Sequence, residues 1–208
     1  MSLDLSRPLV YLITAGDCEA ANYPTQSKRI IEGAKRAADA GVDLFQIREK
    51  QLSADLLFEI TQRVAEVFRR SQTRLLVNDR LDIALTAGAG GVHLTSASAP
   101  VKMIREHSPE GFLIGASCHS VNDVVEARRD GADFALFGPV FASPGKGNGV
   151  GLNALNKACG SEIPVLGIGG IDASNYRDVL DAGTAGFAAI RSLNDADSMR
   201  RIMEGLGR

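Results

Sequence analysis

The sequence predicts an α/β protein of the (β/α)8 TIM-barrel class, with residues 1–208 forming a single domain. Three observations lead there. Short apolar runs alternate with longer stretches of helical period, and the alternation repeats eight times. Gly41, Gly90, Gly131 and Gly183 stand just before the second, fourth, sixth and eighth apolar runs. A glycine there ends a helix in the left-handed conformation, and a recurrence every two βα units suits a barrel built by repetition. Finally, eight units consume the whole length. An open doubly wound sheet rarely reaches eight units in so few residues, whereas the barrel requires that number.

Taken in order, Val10–Ile13 reads as the first strand and Gln26–Ala40 as its helix, with Ile30, Ile31, Ala34, Ala37 and Ala38 on one face. Leu44–Ile47 is the second strand. Ser53 is positioned to cap a helix carrying Leu56, Leu57, Ile60, Val64 and Val67. Leu75–Val77, Gly91–Leu94, Leu113–Ala116 and Phe134–Phe137 read as strands three to six. The helices between them run over Leu81–Ala87, Pro100–Glu106 and Ser120–Arg129. A Gly-rich loop between Pro139 and Gly151 precedes a helix over Leu152–Cys159. Val165–Ile168, a helix over Ala173–Ala182, the strand Phe187–Ile190 and a helix over Ala196–Leu206 close the series.

Composition narrows the function classes. Hydrophobic residues make up 45%, charged residues 23% and aromatics 5%, with no Trp, so the core is aliphatic, as parallel sheets flanked by helices require. A formal net charge of −2 without a clustered basic run gives no footprint for nucleic acid. No apolar stretch is long enough to span a membrane, and the first residues carry neither the basic nor the apolar part of a signal peptide. The three cysteines, Cys18, Cys118 and Cys159, follow no disulfide or zinc spacing, so the expectation is a reducing cytoplasm. Small phosphorylated molecules are the expected partners, and self-association into a homo-oligomer stays open.

In a barrel of this class, function gathers at the C-terminal strand ends. The polar residues there are Gln46-Ile47-Arg48-Glu49-Lys50, Asn78-Asp79-Arg80, His93, Ser117-Cys118-His119, the loop with Ser143 and Lys146, Gly167-Ile168-Gly169-Gly170, and Ile190-Arg191-Ser192. Glycines after the seventh strand, followed by a helix, let backbone N–H groups approach a phosphate; the same run also serves as a tight turn. Arg48, Lys50 and Lys146 suit a second anion, and each also reads as surface charge. Asp79 suits Mg2+ bridging a pyrophosphate, or the cap of the helix starting at Leu81. His119 is a candidate general acid or base and equally a supporting hydrogen-bonder. His93 reads as a packed residue at a strand end.

Six segments, in order along the chain, resemble the thiamine phosphate synthase family and its thiazole tautomerase branch. They are Gln46 to Lys50, Val77 to Arg80, Gly91 to Leu94, Gly115 to Ser120, Phe137 to Phe141, and Gly167 to Ile171. The resemblance implies a transferase that joins an aminopyrimidine methyl pyrophosphate to a thiazole phosphate and releases pyrophosphate. Gln46, Arg48, Lys50, Asn78 and Lys146 would then hold the pyrimidine pyrophosphate, Ser117 would touch it, and Asp79 would bind Mg2+. Gly169, Gly170, Ile190 and Arg191 would hold the thiazole phosphate. The segment departs from the pattern at Ser98, where the family carries a second Mg2+ aspartate, and at Ser143-Pro144-Gly145-Lys146, which lacks one hydroxyl of that loop. Arg191 replaces a frequent Ser. The Ser-bearing stretch after the fourth strand resembles the tautomerase branch, where the histidine matching His119 moves protons. Retained Lys50 and Asp79 lean toward the synthase. A non-catalytic thiazole or thiamine phosphate binder is the third reading.

Overall fold

The computed structural model describes residues 3–142 and 147–208, so Ser143 and Lys146 lie outside the described residues. Eight parallel strands close into a barrel in sequence order. They are β1 (Leu9–Ile13), β2 (Leu44–Ile47), β3 (Arg74–Asn78), β4 (Gly91–Leu94), β5 (Leu113–Cys118), β6 (Phe134–Phe137), β7 (Val165–Ile168) and β8 (Gly186–Ala189). Closure is made by β8 against β1, with Val10 opposite Phe187 and Leu12 opposite Ala189. The helices are α1 (Tyr23–Asp39), α2 (Ala54–Phe68), α3 (Leu81–Thr86), α4 (Val101–Glu106), α5 (Val121–Arg129), α6 (Leu152–Cys159), α7 (Tyr176–Asp181), α8 (Arg191–Asn194) and α9 (Ala196–Gly205). Among the described residues, no helix is long and apolar enough to cross a membrane.

Strands buried on both faces read as continuous apolar runs, yet the two-residue pleat still sorts them. In β1, Leu9, Tyr11 and Ile13 point into the barrel with Leu44, Leu76 and Phe134, while Val10 and Leu12 pack outward under the helices. Glycines make room for the large interior rings. A Cβ on Gly115 would collide with Phe134 and stand 2.7 Å from His93 Nδ1.

Several local expectations need correction. Helix α1 starts at Tyr23, three residues earlier than the apolar pattern suggests, because Pro24 occupies its first turn. Ser53 stands at the cap position of α2 but makes no capping hydrogen bond. Ser120 does cap α5: its Oγ accepts from Asp123 N, and Asp123 accepts from Ser120 N in return. Before β4 the left-handed glycine is Gly88, at φ 82°, and not Gly90, which lies against the Arg74 guanidinium. Gly41, Gly131 and Gly183 do take positive φ. Helix α7 starts at Tyr176 and not at Ala173, after a turn in which Asp172 N donates to Asn175 Oδ1. Ile190 leaves the strand and becomes the cap of α8, a helix too short to show any periodicity in sequence.

Candidate active site at the C-terminal rim

The rim is built from the strand ends, and β2 supplies its first cation. Thr14, just past β1, is buried, and its Oγ1 accepts from Arg48 N at 2.9 Å, which fixes where the chain leaves β2. The Arg48 guanidinium lies against Gly16, where a Cβ would stand 3.3 Å from Nη1, and it makes no ion pair among the described residues. Glu49 is 3% exposed. Its carboxylate accepts from Gly16 N at 3.1 Å and Cys18 N at 2.8 Å, and so ties the loop after β1 to the end of β2. Sequence reasoning gave Glu49 no role, since nothing in the sequence marks a charged residue as a buried staple. Burial, with Glu49 alongside, pushes the Cys18 thiol up to about 11, so it stays protonated at neutral pH.

Lys50 is exposed and lines a cavity of about 260 Å3 together with Glu49, Asn78 and Asp79. Asp79 does not cap α3, whose cap position belongs to Arg80. It sits at φ 62°, a conformation that non-glycine residues adopt reluctantly, with its N–H donating to His93 O at 2.9 Å. Three side chains converge on its carboxylate. Asn78 Nδ2 donates to Oδ2 at 2.6 Å, Ser98 Oγ donates to Oδ1 in a short hydrogen bond, and Thr95 Oγ1 lies 3.4 Å from the same oxygen. Ser98, the residue that departs from the family pattern, therefore faces Asp79 directly. Its Oγ also accepts from Thr95 N at 2.6 Å.

Behind these residues runs a buried polar chain: Tyr11 O–H donates to Gln46 Oε1 at 2.9 Å, and Gln46 Nε2 donates to Asn78 Oδ1 at 3.1 Å. His93 is 2% exposed, as a packed residue. Its Nε2 pairs with Ser117 Oγ at 2.9 Å, while Nδ1 is buried without a partner. Desolvation pulls the imidazole down to about 4, with Asp79 opposing the shift and Arg48 adding to it, so the ring is neutral at pH 7. His119 is exposed. Its Nδ1 donates to Gly138 O at 2.6 Å, which sets the tautomer and leaves Nε2 free of any partner among the described residues.

Across the rim, Gly169, Gly170, Ile190 and Arg191 line a cavity of about 770 Å3 with Ala142, Asp172 and Asp195. The two glycines are forced. Gly169 (φ 103°) and Gly170 (φ 66°) both lie in the left-handed region, and a Cβ on Gly169 would stand 2.6 Å from Pro139 Cα. Neither the Gly169 nor the Gly170 N–H has an acceptor among the described residues. The expected helix dipole differs from the sequence reading: α7 begins six residues after Gly170, and α8, opening at Arg191, borders the cavity instead. Arg191 is exposed and brings the one cationic side chain among the described lining residues. The rim thus gathers every described residue that the sequence singled out; Ser143 and Lys146 belong to the undescribed part of the loop after β6.

Comparison with known proteins fits this geometry. Residues 10–193 match the family model described as thiamine monophosphate synthase. The thiamine-phosphate synthase of Methanoculleus marisnigri is 41% identical over 164 residues, covering 77% of this chain and 78% of that protein. That of Haloarcula marismortui is 34% identical over 204 residues, covering 95% and 94%. A solved thiamine phosphate pyrophosphorylase from Pyrococcus furiosus superposes with a TM-score of 0.80 at 28% identity, over 97% of this chain and 98% of the other. The resemblance carried by the six segments is a membership, and the chain belongs to the thiamine monophosphate synthase family.

Proposed function

We propose that the chain is a thiamine-phosphate synthase. This transferase breaks the C–O bond between an aminopyrimidine methylene and pyrophosphate, which leaves with the electron pair. It then joins the methylene to the ring nitrogen of a thiazole phosphate. The observation that supports the reading is a pair of cavities on one rim, which we assign to two anions. Lys50 lines one cavity with Asp79 after β2 and β3, with the Arg48 guanidinium against Gly16 beside β2, while the Gly169-Gly170 backbone and Arg191 line the cavity after β7 and β8. A diphosphate and a monophosphate each have a side, as the reaction demands.

The residues divide the work accordingly. Arg48 offers a planar fork and Lys50 a point charge to the charge that grows on the departing pyrophosphate. Gln46 and Asn78 offer amide N–H groups, and Ser117 a hydroxyl held by His93. Ser143 and Lys146 join this group on the strength of the resemblance alone. The unpaired N–H groups of Gly169 and Gly170, with Ile190 and Arg191, bind the thiazole phosphate. The donor set fits Mg2+ in one way: a single carboxylate, Asp79, completed by pyrophosphate oxygens and water, because Mg2+ keeps few protein ligands at phosphate sites. No group of three His, Cys, Asp or Glu side chains suited to a metal occurs among the described residues. When bound, the ion would neutralise charge on the leaving group. A cytoplasmic location and small phosphorylated partners go with this reading.

The test is incubation of the purified protein with both substrates and Mg2+, following thiamine phosphate and pyrophosphate. Both should appear in equal amounts, and Lys50→Ala should lower turnover by ~10²–10³, as for other lost transition-state donors. His119→Ala should cost far less. One observation favours the tautomerase branch as a second reading: His119 is held in one tautomer with Nε2 open for proton transfer. If no thiamine phosphate forms, and His119→Ala abolishes turnover of a thiazole carboxylate phosphate, that second reading replaces the first.

A further inference from the structure

Four side chains link the barrel core to the rim in one directed chain: Tyr11 to Gln46, Gln46 to Asn78, Asn78 to Asp79, at 2.9, 3.1 and 2.6 Å. Its direction follows from chemistry alone. An ionised carboxylate only accepts, so Asn78 must turn its NH2 toward Asp79. Asn78 then presents its oxygen to Gln46, Gln46 must donate, and the Gln46 oxygen is left facing Tyr11. Only a donor satisfies that oxygen, and the Tyr11 hydroxyl supplies it. Gln46 is 1% exposed and Tyr11 fully buried, so water does not substitute. Burial also lifts the Tyr11 phenol well above its ordinary value, and the hydroxyl keeps its proton at any working pH.

We propose that Tyr11 is a positioning residue for the pyrimidine side of the site, one that acts through Gln46. Each amide spends one N–H on the chain and retains a second, so both amides keep a donor for a ligand. Those remaining donors suit a ligand portion with acceptor atoms, such as a ring nitrogen of the pyrimidine or a phosphate oxygen. Without the Tyr11 hydroxyl, the Gln46 oxygen is a buried acceptor without a partner, and the side chain gains by turning or shifting to find one. Among the described residues, the thiazole side, after β7 and β8, shares no hydrogen bond with these four side chains.

This inference rests on the synthase reading for its kinetic arm and stands apart from it in its spectroscopic arm. Tyr11→Phe removes one oxygen and keeps the ring that packs on Phe134, whose centroid lies 5.7 Å away. With both substrates, the variant should raise KM for the pyrimidine pyrophosphate about tenfold, the equivalent of one lost hydrogen bond of about 1.4 kcal/mol. KM for the thiazole phosphate should stay within about twofold, a split that general loosening of the barrel would not give. In the ligand-free protein, the Gln46 side-chain amide NMR signals should move and exchange faster with water in the variant. Equal rises in both KM values, or unchanged amide signals, overturn the proposal. If wild type makes no thiamine phosphate yet the amide signals respond, the synthase reading fails and the positioning role survives. Should Tyr11→Phe not fold, wild type decides: Gln46 and Asn78 side-chain amide protons that exchange at the rate of a solvated amide overturn the chain.

Discussion

Ser98 stands where the family resemblance leads to the expectation of a carboxylate, and its hydroxyl donates to Asp79. The exchange alters the charge of the site by one. With a single carboxylate already engaged by Asn78, Thr95 and Ser98, Mg2+ should bind the ligand-free protein weakly and tighten when pyrophosphate brings its own oxygens. Ser98→Asp should invert that order. Two carboxylates in contact repel without a cation, so the variant should melt at a lower temperature in chelator and recover on addition of Mg2+ alone. Calorimetry and thermal melts check this, and a variant whose melting ignores Mg2+ would show that the two side chains do not share an ion. The types and order of the rim residues were legible from sequence. The contact between Ser98 and Asp79 was not, because it depends on the positive φ of Asp79 turning its side chain toward the loop after β4.

At the scale of elements, the eight strands and eight of the nine described helices follow from apolar period and glycine punctuation, with ends displaced by a few residues. Helix α8 escaped because the run Phe187-Ala188-Ala189-Ile190 is uniformly apolar and four helical residues leave no period to detect. The turn after β7 is where element geometry meets function. Gly169 combines a left-handed φ with contact to the loop after β6, so a methyl group there is opposed by both backbone strain and Pro139. Gly169→Ala should destabilise the fold by roughly 1–3 kcal/mol in urea unfolding. It should also raise KM for the thiazole phosphate more than for the pyrimidine pyrophosphate, since it displaces the N–H groups assigned to the former. An unchanged KM for thiazole phosphate would remove the glycine turn from that site.

The molecule as a whole carries a neutral imidazole inside its barrel. The His93 imidazole makes no hydrogen bond to a carboxylate among the described residues; its neighbours are the Tyr11 and Phe134 rings, with centroids 5.9 and 6.0 Å away, and Ser117. Its folded value of about 4 lies below the unfolded 6.5, so the folded state binds fewer protons between these limits. Stability is therefore complete above about pH 6.5 and falls as pH drops toward 4, by up to roughly 3 kcal/mol for this group. His93→Gln, which cannot titrate, should flatten that part of the profile of urea midpoints against pH. Profiles of equal slope for wild type and variant would rule His93 out as the source. At the opposite end of the barrel, Arg208 closes the ring of elements by pairing with Asp43 at 2.7 Å, and Asp43 also accepts from Val10 N at 2.8 Å.

Pattern and composition by themselves determined the barrel, its strand order and the rim on which function sits, because hydrophobic period and helix-ending glycines are local properties that each segment carries with it. The family motifs added the chemistry expected of Gln46, Arg48, Lys50, Asp79 and Gly169-Gly170. What only the tertiary structure decided is which polar side chains serve the fold and which remain for a ligand. Glu49 and Lys50 are neighbours of opposite fate, one buried as a staple for the loop after β1 and the other exposed in the cavity beside Asp79. Burial and hydrogen-bond direction arise from packing between strands 30 or more residues apart, as Tyr11, Gln46 and Asn78 demonstrate. No local pattern encodes such a pairing; it exists once β1, β2 and β3 lie side by side.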